Sequence, residues 1–104
     1  MKMTVIAEVN LIPLGEGIGV SKFLAPALQE LEKRGVKHEI TPMCTIFEAK
    51  SIEEAFEVTR AIHEAVFRAG VKRVVTTVKV DDRRDRASSM KEKVETLKKA
   101  IKDQ

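Results

Sequence analysis

The stretch KVDDRRDR (residues 79–86) puts three Asp and three Arg into six consecutive positions, Asp81 to Arg86. Carboxylates at this density can hold a hard metal ion, and guanidiniums can grip phosphate. The six charges sum to zero. A phosphate grip needs excess positive charge, and a hard-metal site needs carboxylates free of competing guanidiniums. The stretch therefore reads as a self-neutralising exit from a strand, with Arg–Asp pairs that set where the following helix docks.

Two other stretches could do chemistry. The glycine loop GEGIGVS (residues 15–21) lies between a strand and a helix, where phosphate-binding loops sit. The dinucleotide pattern G-x-G-x-x-G needs a third glycine where Val20 stands, and a P-loop needs Gly-Lys-Ser/Thr where the chain reads Val20-Ser21-Lys22. The loop reads as a flexible connection or a lid over a ligand. Cys44 becomes a nucleophile only beside an activating base. The two histidines, His38 and His63, stand in no pattern with it, and no H-x-x-x-H spacing announces a metal. The expectation is no catalytic residue, no metal, no cofactor and no enzymatic activity.

The elements that must position these residues are legible from periodicity. MTVIAEVNLI (residues 3–12) alternates with period two, as does VKRVVTTVKV (residues 71–80). VKHEI (36–40) and CTIFEA (44–49) are shorter strands around a turn. A helix starts near Ser21 as N-cap, carries Leu24, Ala27, Leu28 and Leu31 on one face, and stops at Gly35; Pro26 interrupts its second turn. A second helix opens on the Ser51/Glu54 capping box and ends at Gly70, with Ile52, Ala55, Phe56, Thr59, Ile62 and Val66 on one face. A third opens on Ser89/Glu92 and carries only Met90, Val94, Leu97 and Ile101 as a narrow apolar stripe. Gly35-Val36-Lys37 recurs as Gly70-Val71-Lys72, each between helix and strand. Two βαβ units plus one helix predict an α+β fold, the ferredoxin-like split βαβ sandwich (βαββαβ), with a four-stranded antiparallel sheet. Residues 1–104 read as one domain, with residues 87–102 as an appended oligomerisation helix.

One sheet face in such a fold has no helix on it. Alternation puts Ile6, Glu8 and Asn10 there from the first strand, Ile46 and Glu48 from the third, and Val75, Thr77, Lys79 and Asp81 from the last. Apolar residues on a bare sheet face, with the last helix's stripe, predict a homo-oligomer. Glu48 on that face either pairs with Lys79 or accepts hydrogen bonds from an amino group of a small heterocycle, with Asn10 or Thr45 supplying complementary donors. Thr45 and Glu48 fall on opposite faces of a regular strand, so one ligand touching both requires a bulge, or a strand that begins after Thr45.

Composition narrows the partners. The net charge of +3 comes from Lys and Arg interleaved with Asp and Glu, unlike the concentrated basic patches of nucleic-acid binders. Base-stacking aromatics are missing from the central strands apart from Phe47, so RNA is not expected. No apolar run approaches the roughly 18 residues of a membrane span, and Glu8 comes too early for a secretory signal. A cytoplasmic location is expected. Scarce amides and abundant Lys, Arg and Glu lean toward a thermophilic source.

PLGEGIGVS (13–21), TPMCTIFEA (41–49) and RVVTTVKVDDRRDR (73–86), in this order and with the extra helix, resemble the small ferredoxin-like thiamine-binding protein domain family. The resemblance covers essentially the whole chain. It implies subunits that pair through their sheets into dimers and often tetramers and, as for some members, binding of thiamine or its hydroxymethylpyrimidine moiety; with no catalytic motif in the chain, the function expected is non-catalytic binding. Ser21 matches the serine after the glycine loop, and Thr45 and Glu48 match the family's P-x-x-T-x-x-E run from Pro42. Cys44 stands where the family usually has Gly. The ligand-binding set expected is Asn10, Ser21, Thr45 and Glu48. The rival expectation is a regulatory or structural homo-oligomer sensing another small molecule or an anion near Ser21.

Overall fold

Seven elements follow one another in the computed structural model, which describes residues 4–104: β1 (Val5–Pro13), α1 (Ser21–Lys33), β2 (His38–Ile40), β3 (Thr45–Ala49), α2 (Ile52–Arg68), β4 (Val74–Asp82) and α3 (Met90–Lys102). Met3, which the sequence pattern assigns to the first strand, lies outside the described residues. The strands form one antiparallel sheet in the order β2-β3-β1-β4. This is the ferredoxin-like βαββαβ arrangement with one added helix.

The alternation of β1 decides which face is covered. Val5, Ala7 and Val9 are buried under the helices, while Ile6, Glu8 and Asn10 are half-buried on the opposite face. Register carries this parity across the sheet. Phe47 and Val80 flank Ala7 on the covered face; Glu48 and Asp81 flank Ile6 on the open one. Phe47, Leu31, Ile62 and Val66 fill the centre of the core between sheet and helices. Burying each stabilises the fold by about 1.5–3 kcal/mol.

The helix ends follow local rules with one exception. Ser51 accepts from the amide of Glu54 (3.1 Å), and Glu54 reaches back to the amide of Lys50 (3.3 Å). This reciprocal cap satisfies donors that would otherwise lack partners at the start of α2. Gly35, at φ +66°, ends α1 as a Schellman motif: the amide of Val36 reaches the carbonyl of Leu31 (3.1 Å), and that of Gly35 the carbonyl of Glu32 (3.0 Å). The exception is the start of α1. Ser21 is the first helical residue rather than the N-cap; Val20 holds that position and provides no side-chain cap. The glycine loop delivers the chain one residue earlier than the serine suggests. Pro26 lies inside α1, where it offers no amide to the carbonyl of Lys22, and the helix continues to Lys33.

α3 meets the open face only at its beginning. The amide of Met90 donates to Glu48 Oε1 (3.3 Å), Lys93 Nζ pairs with Asp81 Oδ2 (2.5 Å), and Met90 is buried. Beyond this anchor, Leu97 and Ile101 are each 66% exposed. The radius of gyration, 15.3 Å, accordingly exceeds the ~13 Å of a compact chain of this length.

Candidate functional site

The glycine loop, the turn between β2 and β3 and the beginning of α1 meet at one end of the sheet. α1 leans chiefly on α2 and touches the sheet little. A cavity of about 190 Å³ remains beneath it. Leu24, Ala27 and Leu28 form the α1 wall, residues 9–11 the floor, and residues 40–45 the third side. Leu11, Leu24 and Leu28 pack against the core yet stay half-buried, because the cavity leaves one side of each uncovered. The sequence pattern marks Leu24 and Leu28 as core; in the structure both are half-buried and line the cavity.

The turn at residues 41–44 is held by one hydroxyl. Thr41 Oγ1 donates to the carbonyl of Cys44 (2.8 Å) and accepts from the amides of Cys44 (3.0 Å) and Met43 (3.3 Å). The amide of Thr41 closes the turn on the same carbonyl (2.9 Å). Cys44 Sγ lies 3.4 Å from Thr41 Oγ1. The two histidines engage elsewhere: His38 Nδ1 meets the carbonyl of Val36 (2.7 Å), and His63 Nδ1 meets Thr76 Oγ1 (2.6 Å). Among the described residues, no group of three His, Cys, Asp or Glu side chains could hold a metal ion. None of the described helices is long and apolar enough to cross a membrane.

The four residues singled out by the sequence separate into two places. Asn10 and Thr45 both border the cavity. Thr45 opposes Val9 on the covered face, whereas Asn10 belongs to the open face and borders the cavity just beyond the start of β3. Ser21 is exposed, one helical turn before Leu24 and on the same side of α1. Glu48 is apart from these three. The ladder from Thr45 to Ala49 runs without a bulge, so Thr45 and Glu48 stay on opposite faces.

Glu48 has its own partners. Its side chain is 12% exposed, its Oε2 is 3.5 Å from Lys37 Nζ, and its Oε1 accepts from Met90. Lys79, the alternative suggested by the sequence, opposes Glu8 instead. Glu48 also borders an open groove of about 870 Å³ lined by charges of both signs, including Arg34, Lys37, Lys50, Glu53 and Glu57. That groove offers no apolar enclosure comparable to the cavity under α1.

The Asp/Arg stretch resolves into paired charges. Arg84 makes a two-pronged contact to Asp82, and Arg83 another to Asp85 (Nη2–Oδ2 2.8 Å in both). The Arg83 guanidinium holds the Asp85 carboxyl far below the usual range, at about 2, and Arg84 likewise lowers Asp82. Carboxylates engaged in this way are poor metal ligands. The Arg–Asp pairs are thus local to the stretch, and the contact to α3 is made instead by Asp81 with Lys93.

Known proteins share this architecture. Residues 7–98 match the family described as thiamine-binding protein. A UPF0045 protein of Methanothermobacter thermautotrophicus is 43% identical over 98 residues, covering 93% of this chain and 99% of its own. The crystal structure of a hypothetical protein from Methanocaldococcus jannaschii superposes with a TM-score of 0.83 at 33% identity, covering 94% of this chain and 98% of its own. A Thermotoga maritima structure, described as a candidate thiamine biosynthesis/salvage protein, shares the fold with a TM-score of 0.76 at 20% identity, over 90% of this chain and 98% of its own. With the family match spanning nearly every element from β1 to α3, this chain belongs to the thiamine-binding protein family.

Proposed function

We propose that this protein is a non-catalytic binder of thiamine or its hydroxymethylpyrimidine moiety and works as a homo-oligomer. The observation that carries the reading is the cavity under α1, which joins apolar walls to the hydroxyl-bearing Thr45, with Asn10 at its border. Ligand sites combine these two features: apolar enclosure supplies affinity, and a few polar groups supply orientation. Family membership and the description of the Thermotoga maritima neighbour favour a thiamine-related ligand. A binding role without catalysis is supported by Cys44, whose side-chain contact is Thr41 rather than an imidazole.

Assembly is supported by the uncovered apolar surface. Ile12 and Val75, adjacent in the register, are 45% and 41% exposed on the open face, and Val94, Leu97 and Ile101 of α3 are also exposed. Residues 87–102 then serve as the oligomerisation helix. A rival reading, an oligomer that senses an anion, is favoured by the uncapped start of α1 beside the exposed Lys22. Titration calorimetry with thiamine, hydroxymethylpyrimidine and inorganic phosphate separates the two. Heat from either organic ligand supports the proposal. Silence of both at millimolar concentration removes it, and heat from phosphate alone installs the rival.

A further inference from the structure

We propose that the face of α3 carrying Val94, Leu97 and Ile101 docks on an anionic lipid surface, with the helix lying in the plane of the bilayer. This surface is separate from the ligand site proposed above and does not depend on it. Exposure comes first. Every residue from Lys91 to Gln104 is exposed, and no other helix or strand packs along α3. Only its first turn is held, by the buried Met90 and the contacts of Glu48 and Asp81. The helix is about 20 Å long, too short to span a hydrocarbon core of about 30 Å and long enough to lie on one.

Charge comes next. The chain carries a net +3, and interleaved acids and bases hide where the excess lies. α3 contains five lysines and two glutamates, and the rest of the chain sums to zero. At about 100° per residue, Val94, Leu97 and Ile101 share an arc of about 60°. Lys93 and Lys98 border that arc on either side, each about 40° away, with Lys91 and Lys102 next beyond Lys98. Glu92 and Glu95 both stand about 100° or more from the arc. Lysines flanking a stripe in this way reach lipid headgroups while the apolar residues between them enter the acyl boundary.

The two features together select the occupant. A nucleic-acid backbone would engage the lysines and leave Leu97 and Ile101 in water. A second copy would cover the stripe but offer the lysines no net negative charge, because the chain outside α3 sums to zero. An anionic bilayer meets both needs at once, since apolar burial and attraction to anionic headgroups add. A second copy and the bilayer therefore compete for the stripe, while Ile12 and Val75 on the sheet face stay available to subunit contacts.

The test is cosedimentation of the full chain with vesicles of mixed phosphatidylglycerol and phosphatidylcholine, with vesicles of phosphatidylcholine alone, and a parallel titration of a DNA duplex. Two double variants accompany it: Lys98→Gln with Lys102→Gln, and Leu97→Gln with Ile101→Gln. The unmutated chain should bind the anionic vesicles at least about tenfold more tightly than the neutral ones, and less tightly as salt rises. The lysine pair should weaken binding roughly 25-fold, about fivefold for each charge removed. The apolar pair should weaken it by about tenfold or more. Both variants replace exposed residues and should keep the melting temperature of the unmutated chain. No binding to anionic vesicles overturns the proposal, as does equal binding to neutral ones. Binding of the duplex without binding of vesicles assigns the lysines to nucleic acid instead. If the apolar pair turns the chain monomeric yet binds vesicles unchanged, the stripe belongs to the subunit contact and the proposal fails. None of these outcomes bears on ligand binding, which calorimetry reads separately.

Discussion

Replacing Glu48 separates a structural role from a ligand-binding one. Its carboxylate faces the first turn of α3, where the helix dipole favours negative charge by about 0.3–1 kcal/mol. The hydrogen bond from Met90 adds on the order of 1.5 kcal/mol, at the low end for a charged acceptor because 3.3 Å is long. The pair with Lys37 adds little, since that lysine is 64% exposed and solvent screens it. Glu48→Ala should therefore weaken α3 docking by about 2 kcal/mol. Glu48→Gln keeps an acceptor, loses the charge and should cost about half as much. Amide hydrogen exchange resolved by residue reads this directly. Exchange along α3 should accelerate roughly 30-fold in the alanine variant, with the amides of α2 protected as before. Equal exchange in all three proteins would show that the contact to Met90 does not hold the helix. Loss of ligand affinity in Glu48→Gln with α3 exchange unchanged would return Glu48 to the ligand.

Two further outcomes test the surface. The unmutated chain should sediment as a dimer or larger at micromolar concentration, and Ile6→Glu with Val75→Glu should give a folded monomer; a monomeric unmutated protein refutes assembly through this face. Asp85 should titrate near pH 2 by carboxyl NMR and move up in Arg83→Gln. Its folded value is depressed, so the pair's contribution is present above pH 4 and is lost as pH falls toward 2; a midpoint close to 4 in the unmutated protein means the pair does not persist in solution.

Strand faces were readable from the chain because period-two alternation is set by backbone geometry alone. Ile6, Glu8, Glu48, Val75 and Thr77 all stand on the expected face. Helix ends were readable where side chain and backbone agree, as at Ser51 and Ser89, whose hydroxyls each accept an amide three residues on. Ser21 misled because a serine in the first turn looks the same in sequence as one at the cap; the turn of the glycine loop decides between them. The partner of Glu48 depended on register. Its amide donates to the carbonyl of Lys37 (3.0 Å), which brings that lysine alongside and leaves Lys79 beside Glu8. The cavity depended on α1 packing chiefly on α2 rather than on the sheet. Leu31 is completely buried while Leu24 and Leu28, on the same stripe, are not. A hydrophobic stripe tells which face turns inward but not how far each residue sinks.

The two edges of the sheet are unequal. β2 presents three residues to a passing chain, too few for a stable ladder. β4 presents nine, with its charges gathered at the far end in Lys79, Asp81 and Asp82. Residues 74–78, VVTTV, are β-branched throughout and carry neither charge nor proline. Such a segment on an open edge is a template for pairing with any extended strand. In unfolded or partly folded chains, this short run is where molecules would zip together in the wrong register. At high concentration the edge of β4 is therefore expected to favour mispairing on refolding.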